Sequence, residues 1–217
     1  ERDRGAFEEL FHMPLEVDHL NRLSPEARDY YEYLREIGHR VSFIIQETAE
    51  GFGHAVHCAR QWVGDEAFLL MLGDHVFRST GDTSCTEQIL EACGSGVGSE
   101  VGLIPVGGEE VSKYGAVAGT WATDRRTLDV TAVREKPTRE YAREHLRVEG
   151  LGRDRFLSMF GLYVLSPLVF ECLEEMIAAN RREGGEFQFT PCLEELRRRE
   201  GVLGVIIEGE RYDIGNP

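Results

Sequence analysis

RVSFIIQETAEGFGHAVHCARQWVGDEAFLLMLGD, residues 40–74, decides the fold. The apolar run Arg40–Gln46 predicts a buried strand, ETAEGFG a loop, HAVHCARQWV a helix, and EAFLLMLGD a second apolar strand ending at Asp74. Strand, glycine-containing loop, helix, strand is a βαβ unit, which implies parallel neighbours. The fold class that follows is α/β, with a mixed, mainly parallel sheet flanked by helices.

Reading outward, the alternation continues. A helix is expected over Cys85–Cys93, then a glycine-rich turn, GSGVGSE, and a strand, VGLIPV. AVAGTWATD and TLDVTAVRE alternate β-branched with small residues and predict an antiparallel pair. FLSMFGLYVLS reads as a strand, PLVFECLEEMIAANRR as a helix opened by Pro167 with Gly184-Gly185 beyond its end, and TPCLEELRRRE as another. VLGVIIEGERYD closes as one strand, and Arg197–Arg199 sits where a helix end favours cations. Upstream, Phe7, Leu10 and Phe11 share one helical face. SPEARDYYEYLREIG has Ser24 as N-cap, Pro25 at the first helical position and Gly38 as terminator. Residues 1–40 are thus expected to be a helical insertion packed on the domain, and residues 41–217 its core.

At 217 residues the chain fits one domain that buries roughly 70% of its unfolded surface. A net charge of −15 disfavours nucleic acid, whose backbone demands a positive field. Apolar runs fall short of the ~20 residues that span a membrane, and ERDRGAFEEL lacks a signal-peptide pattern. The reading is a cytoplasmic protein. Its five cysteines (Cys58, Cys85, Cys93, Cys172, Cys192) form no CxxC pair and suit reduced thiols in helices and core.

Of 24 Lys plus Arg, only Lys113 and Lys136 are lysine. A compact ammonium fits beside an oxyanion in a confined pocket where a planar guanidinium does not, which singles out Lys136 in VREKPTRE. Ligands in open α/β sheets bind beyond the carboxyl ends of strands. The Gly51–Gly53 loop, Asp74, Glu135-Lys136 and Asp213 all lie at such ends. Two aspartates from separate strands suit Mg²⁺, which takes oxygen ligands and substrate phosphates, although an Asp after a strand is more often a turn or cap residue. A rival reading takes GFGHAV as a dinucleotide fingerprint with Asp74 holding a ribose. Its G-x-G-x-A pattern is one residue short, however, and it leaves REKP and RYDIGN without a role.

QETAEGFGHAVHCARQWVGDEAFLLMLGD, KYGAVAG, REKP, GLYVLSPLVFECLEE, GGEFQFT and RYDIGN, in this order and spacing, resemble the bacterial sugar-nucleotide pyrophosphorylases, most closely the UTP–glucose-1-phosphate uridylyltransferases. The resemblance covers Val41 to the C-terminus. It implies a Rossmann-like nucleotide-diphospho-sugar transferase fold and the conversion of UTP and glucose 1-phosphate to UDP-glucose and pyrophosphate. It also implies roles. Gln46 and Gly51 would contact uracil, Asp74 and Asp213 would hold Mg²⁺, Gly115 and Glu135 would meet sugar hydroxyls, and Lys136 would hold the sugar phosphate. Glu186 would be a further pocket residue. His54, His57 and His75 are assigned structural roles. The sequence departs from the family at Pro191, where Asp is common, and at His75 beside Asp74. The family's glycine-rich G-x-G-T-R loop has no match here, so the chain is expected to be an excerpt of a longer polypeptide. Alternatives are a non-catalytic sugar-nucleotide-binding or regulatory homologue, and a thymidylyl- or adenylyltransferase. Exposed faces of residues 1–40 offer a homo-oligomer contact.

Overall fold

The computed structural model describes residues 4–12, 14–92, 98–123 and 125–215. Residues 1–47 and 48–217 form two compact units. In the first, helices α1 (Arg4–His12), α2 (Val17–Leu20) and α3 (Pro25–Gly38) follow one another. Ser24 caps α3, its hydroxyl accepting from the Ala27 amide at 3.2 Å. Gly38 is the last residue of α3, with His39 as C-cap. Its lack of a side chain lets α1 approach, because a Cβ there would overlap the Phe11 carbonyl. His12 Nε2 reaches the Gly38 carbonyl at 2.9 Å.

The strand expected over Arg40–Gln46 does not form. The segment is irregular and joins no described strand. A strand exists only with a neighbour to take its backbone groups. Here the apolar run stays open, with Ile44 and Ile45 40% and 47% exposed. The expected βαβ unit is therefore absent from the described residues.

The second unit carries the helices α4 (Phe52–Cys58), α5 (Arg60–Val63), α6 (Cys85–Ala92), α7 (Arg139–His145), α8 (Leu168–Ala178) and α9 (Phe189–Glu200). Its strands are β1 (Phe68–Met71), β2 (His75–Ser79), β3 (Glu100–Gly107), β4 (Ala116–Trp121), β5 (Thr127–Arg134), β6 (Arg155–Leu165), β7 (Leu203–Ile206) and β8 (Gly209–Asp213). Six form a sheet in the order β1-β6-β3-β7-β5-β4; β2 and β8 pair separately. The α/β class with a mixed sheet and flanking helices holds, but "mainly parallel" is corrected. Among the described strands only β3 and β7 run parallel, and every other pairing is antiparallel. The β4–β5 pair forms as expected, with a register shift between Ala118 and Gly119. Cys93, residues 94–97 of the glycine-rich turn, and Asp124 lie outside the described residues.

Strand β6 shows why the sequence folds this way. Phe156–Leu165 is buried throughout, as a strand covered on both faces should be. Leu157, Met159, Tyr163 and Leu165 join the cluster built with α8 and α9. Phe160, Leu162 and Val164 pack with Cys85 and Ile89 of α6. The two-residue alternation thus feeds two cores. The stretch expected as one closing strand is two, because the chain leaves the main sheet after Ile206 to pair with β2.

Candidate active site

The described site lies wholly within the second unit. Strand ends and turns converge on a cleft of about 230 Å³. Leu72 and Asp74 come from the turn between β1 and β2, His75 from the start of β2, and Arg211 and Asp213 from β8. Lys113, Tyr114 and Gly115 precede β4, Glu135 and Lys136 follow β5, and Gln188, Phe189 and Thr190 open α9. Met159 and Tyr163 of β6 form its buried floor.

The β2–β8 register assembles the acidic corner. His75 lies opposite Asp213, and alternation turns His75 and Phe77 inward together with Arg211 and Asp213. Asp74, one residue earlier, is anchored by its carbonyl, which accepts from the Ile214 amide at 2.8 Å. One ligand atom from each of Asp74, His75 and Asp213 lies within 4.8 Å of the others. Burial pushes the His75 imidazole below its ordinary pKa, helped by the Arg211 guanidinium and opposed by both carboxylates. Two carboxylates in such a set suit a hard divalent cation, and a neutral imidazole adds a nitrogen donor.

Across the cleft, the Thr190 hydroxyl donates to Glu135 Oε2 at 2.5 Å. A Cβ on buried Gly115 would overlap the Met159 methyl and approach Glu135 Oε2 at 3.2 Å, so glycine keeps this wall open. Lys136 is exposed and has a positive φ of 38°, directly before buried Pro137. Arg211 stacks on the Tyr114 ring at 3.5 Å and donates to the Met159 carbonyl. Burial pushes its guanidinium pKa down, a direction that still leaves a cation at neutral pH.

Of the residues singled out in the sequence, Asp74, Gly115, Glu135, Lys136 and Asp213 line this one cleft. Gly51 and Glu186 do not, although each neighbours lining residues. Gly51 caps α4 at φ +104°, a conformation suited to glycine, and a Cβ there would come within 2.8 Å of Glu186 Cβ. Gln46 belongs to the first unit. Sequence reasoning missed Lys113, Tyr114, Thr190 and Arg211, and gave His75 a merely structural role. The scarcity of lysine was the available signal for Lys113, since both lysines of the chain line the cleft.

The α/β architecture puts this polar cleft at strand ends, the place where open α/β sheets commonly bind ligands. The chain belongs to the nucleotidyl transferase family, whose family model matches residues 19–217. It is similar to the UTP–glucose-1-phosphate uridylyltransferase YngB of Bacillus subtilis, with 33% identity over 176 residues, covering 81% of this chain and 54% of the relative. It is also similar to a UTP–glucose-1-phosphate uridylyltransferase of Staphylococcus epidermidis, with 26% identity over 99% of this chain and 69% of the relative. A UDP-glucose pyrophosphorylase solved with UDP-glucose superposes with a TM-score of 0.74 at 26% identity, covering 92% of this chain and 70% of that one. The chain spans about half the length of the first curated relatives it matches. Among the described residues no helix is long and apolar enough to cross a membrane.

Proposed function

We propose that the protein transfers a uridylyl group from UTP to glucose 1-phosphate, giving UDP-glucose and pyrophosphate. The observation that carries this reading is the convergence of Asp74, Asp213 and both lysines on one cleft, in a chain whose relatives bear that activity in their names. A phosphate oxygen of glucose 1-phosphate attacks the α-phosphorus of UTP in line; the new P–O bond forms as the bond to pyrophosphate breaks. The nucleophile is already ionised at neutral pH, so no general base is needed. Lys136 and Lys113 lower the repulsion between the two anions, and Glu135, fixed by Thr190, accepts from sugar hydroxyls. Asp74 and Asp213 would hold Mg²⁺, which supplies charge neutralisation of the phosphates. Gly51 would contact the uracil base.

The test is incubation of the protein with UTP, glucose 1-phosphate and Mg²⁺, with separation of nucleotide products and measurement of pyrophosphate. UDP-glucose in step with pyrophosphate is expected, and Asp74→Asn and Asp213→Asn should shift the Mg²⁺ dependence to higher concentration. Tight UDP-glucose binding without turnover would instead make this a sugar-nucleotide-binding protein. Faster turnover of dTTP or ATP would reassign the base.

A further inference from the structure

Beside the two aspartates sits a nearly buried imidazole. The His75 side chain is 6% exposed. Its Nε2 stands 4.0 Å from Asp74 Oδ1, too far for a hydrogen bond. Its Nδ1 is buried without a hydrogen-bond partner, and it lies against Gly161, where a Cβ would come within 2.6 Å. A nearly buried ring beside two carboxylates, with the backbone of Phe160 as a further polar neighbour, is placed to act as a metal ligand: Nε2 stands toward Asp74, and a neutral ring with its proton on Nδ1 would leave Nε2 able to ligate. Gly161, at φ +95°, provides the space that the ring occupies. The ring also meets Phe77 edge-on at 6.0 Å.

We propose that His75 is a third protein ligand of the cation site, its Nε2 joining Asp74 and Asp213, and that the site consequently favours borderline cations such as Mn²⁺ and Co²⁺ over Mg²⁺. Mg²⁺ prefers an all-oxygen octahedral shell, whereas imidazole nitrogen raises affinity along the first-row series. The inference rests on the metal part of the reading above and is independent of its substrates.

The experiment uses the full chain with metal alone. Mn²⁺ is titrated by electron paramagnetic resonance, and the bound form is examined for nitrogen hyperfine coupling. Co²⁺ and Mg²⁺ affinities are obtained by competition. Expected are a nitrogen-coupled Mn²⁺, loss of that coupling in His75→Gln, and a fall of at least about tenfold in Co²⁺ affinity with Mg²⁺ affinity within about twofold. Bound Mn²⁺ without nitrogen coupling, its affinity weakened by Asp74→Asn, would overturn the proposal while leaving the two-aspartate site standing. Failure of every cation to bind would overturn both, and UDP-glucose formation would still report separately on the transferase reading. Should His75→Gln fail to fold by circular dichroism, the presence or absence of nitrogen coupling in the unmodified protein decides.

Discussion

Lys136 holds a backbone conformation that side chains beyond glycine and asparagine seldom adopt, with φ at +38°. Such strain costs on the order of 1–3 kcal/mol and persists where the surroundings impose it. Here buried Pro137 follows immediately and fixes the turn. Lys136→Gly should therefore remain folded, within about 1 kcal/mol of the parent because relief of strain offsets the added freedom of the unfolded chain. Its turnover should fall by about a hundredfold or more. Lys136→Arg keeps the charge but alters bulk and hydrogen-bond geometry, and it too should lose turnover without unfolding. Thermal melts alongside rates at saturating substrate check both variants; near-parental rates for the arginine variant would remove Lys136 from the reaction. Lys136 was legible because the residue type was rare. Arg211 was not, because one of 22 arginines offers no such contrast in the sequence.

The seam between α4 and the turn before α9 shows how an element serves the cleft from outside it. The Gly53 amide donates to the Phe187 carbonyl and the Phe187 amide to the Glu50 carbonyl, both at 2.8 Å. A Cβ on Gly53 would stand 2.7 Å from that Phe187 oxygen, and backbone cannot move aside as a side chain does. Gly53→Ala should cost about 1–3 kcal/mol. It should also raise KM, since the same turn leads into α9, which carries Thr190 to Glu135. Gly73→Ala, with open space around it, is the neutral control, and denaturant midpoints with substrate titrations measure the pair. Within α4, burial holds His57 below its ordinary pKa, with Glu174 opposing and Arg60 reinforcing the shift, and its Nε2 is unpartnered. The unfolded chain then binds the proton more readily than the folded one. This contribution is complete above the ordinary histidine value of about 6.5 and is lost as pH falls through the lower folded value. His57→Leu should flatten the stability loss between about pH 7 and pH 5, as read from urea midpoints; an unchanged slope would sink the assignment.

Elements with a strong period were readable at this scale, and those defined by distant partners were not. The alternation of β6 and the Ser24-Pro25 signal of α3 are local, and both appear as expected. The apolar run at 40–46 had a strand's composition but no neighbour, and β2 had a neighbour, β8, that only the folded chain reveals. Asp74 and Asp213 could be picked out as strand-end carboxylates. That His75 would face Asp213 depends on a register which no window of sequence contains.

For the molecule as a whole, a net charge of −15 favours expansion through self-repulsion. Attractive pairs work against it: Arg143 Nη2 meets Asp154 at 3.0 Å, and Arg199 bridges Glu175 and Glu195 across α8 and α9. Exposed to solvent, each of these pairs contributes little. Added NaCl, which screens both terms over a Debye length of about 10 Å at 0.1 M, should raise the thermal midpoint, because the repulsive excess is the larger. A midpoint that falls with salt would mean that the local pairs dominate.

The β2–β8 pairing also has a meaning in time. His75 and Asp213 belong to opposite ends of the second unit's sequence, so their corner cannot exist until β8 has folded back onto β2. A loop of that length closes late relative to local contacts. A cation captured there would act as a clasp, slowing the opening of β8 and prolonging the hydrogen-exchange lifetime of the Arg211–Asp213 amides, and so would couple occupancy of the cleft to the durability of the fold.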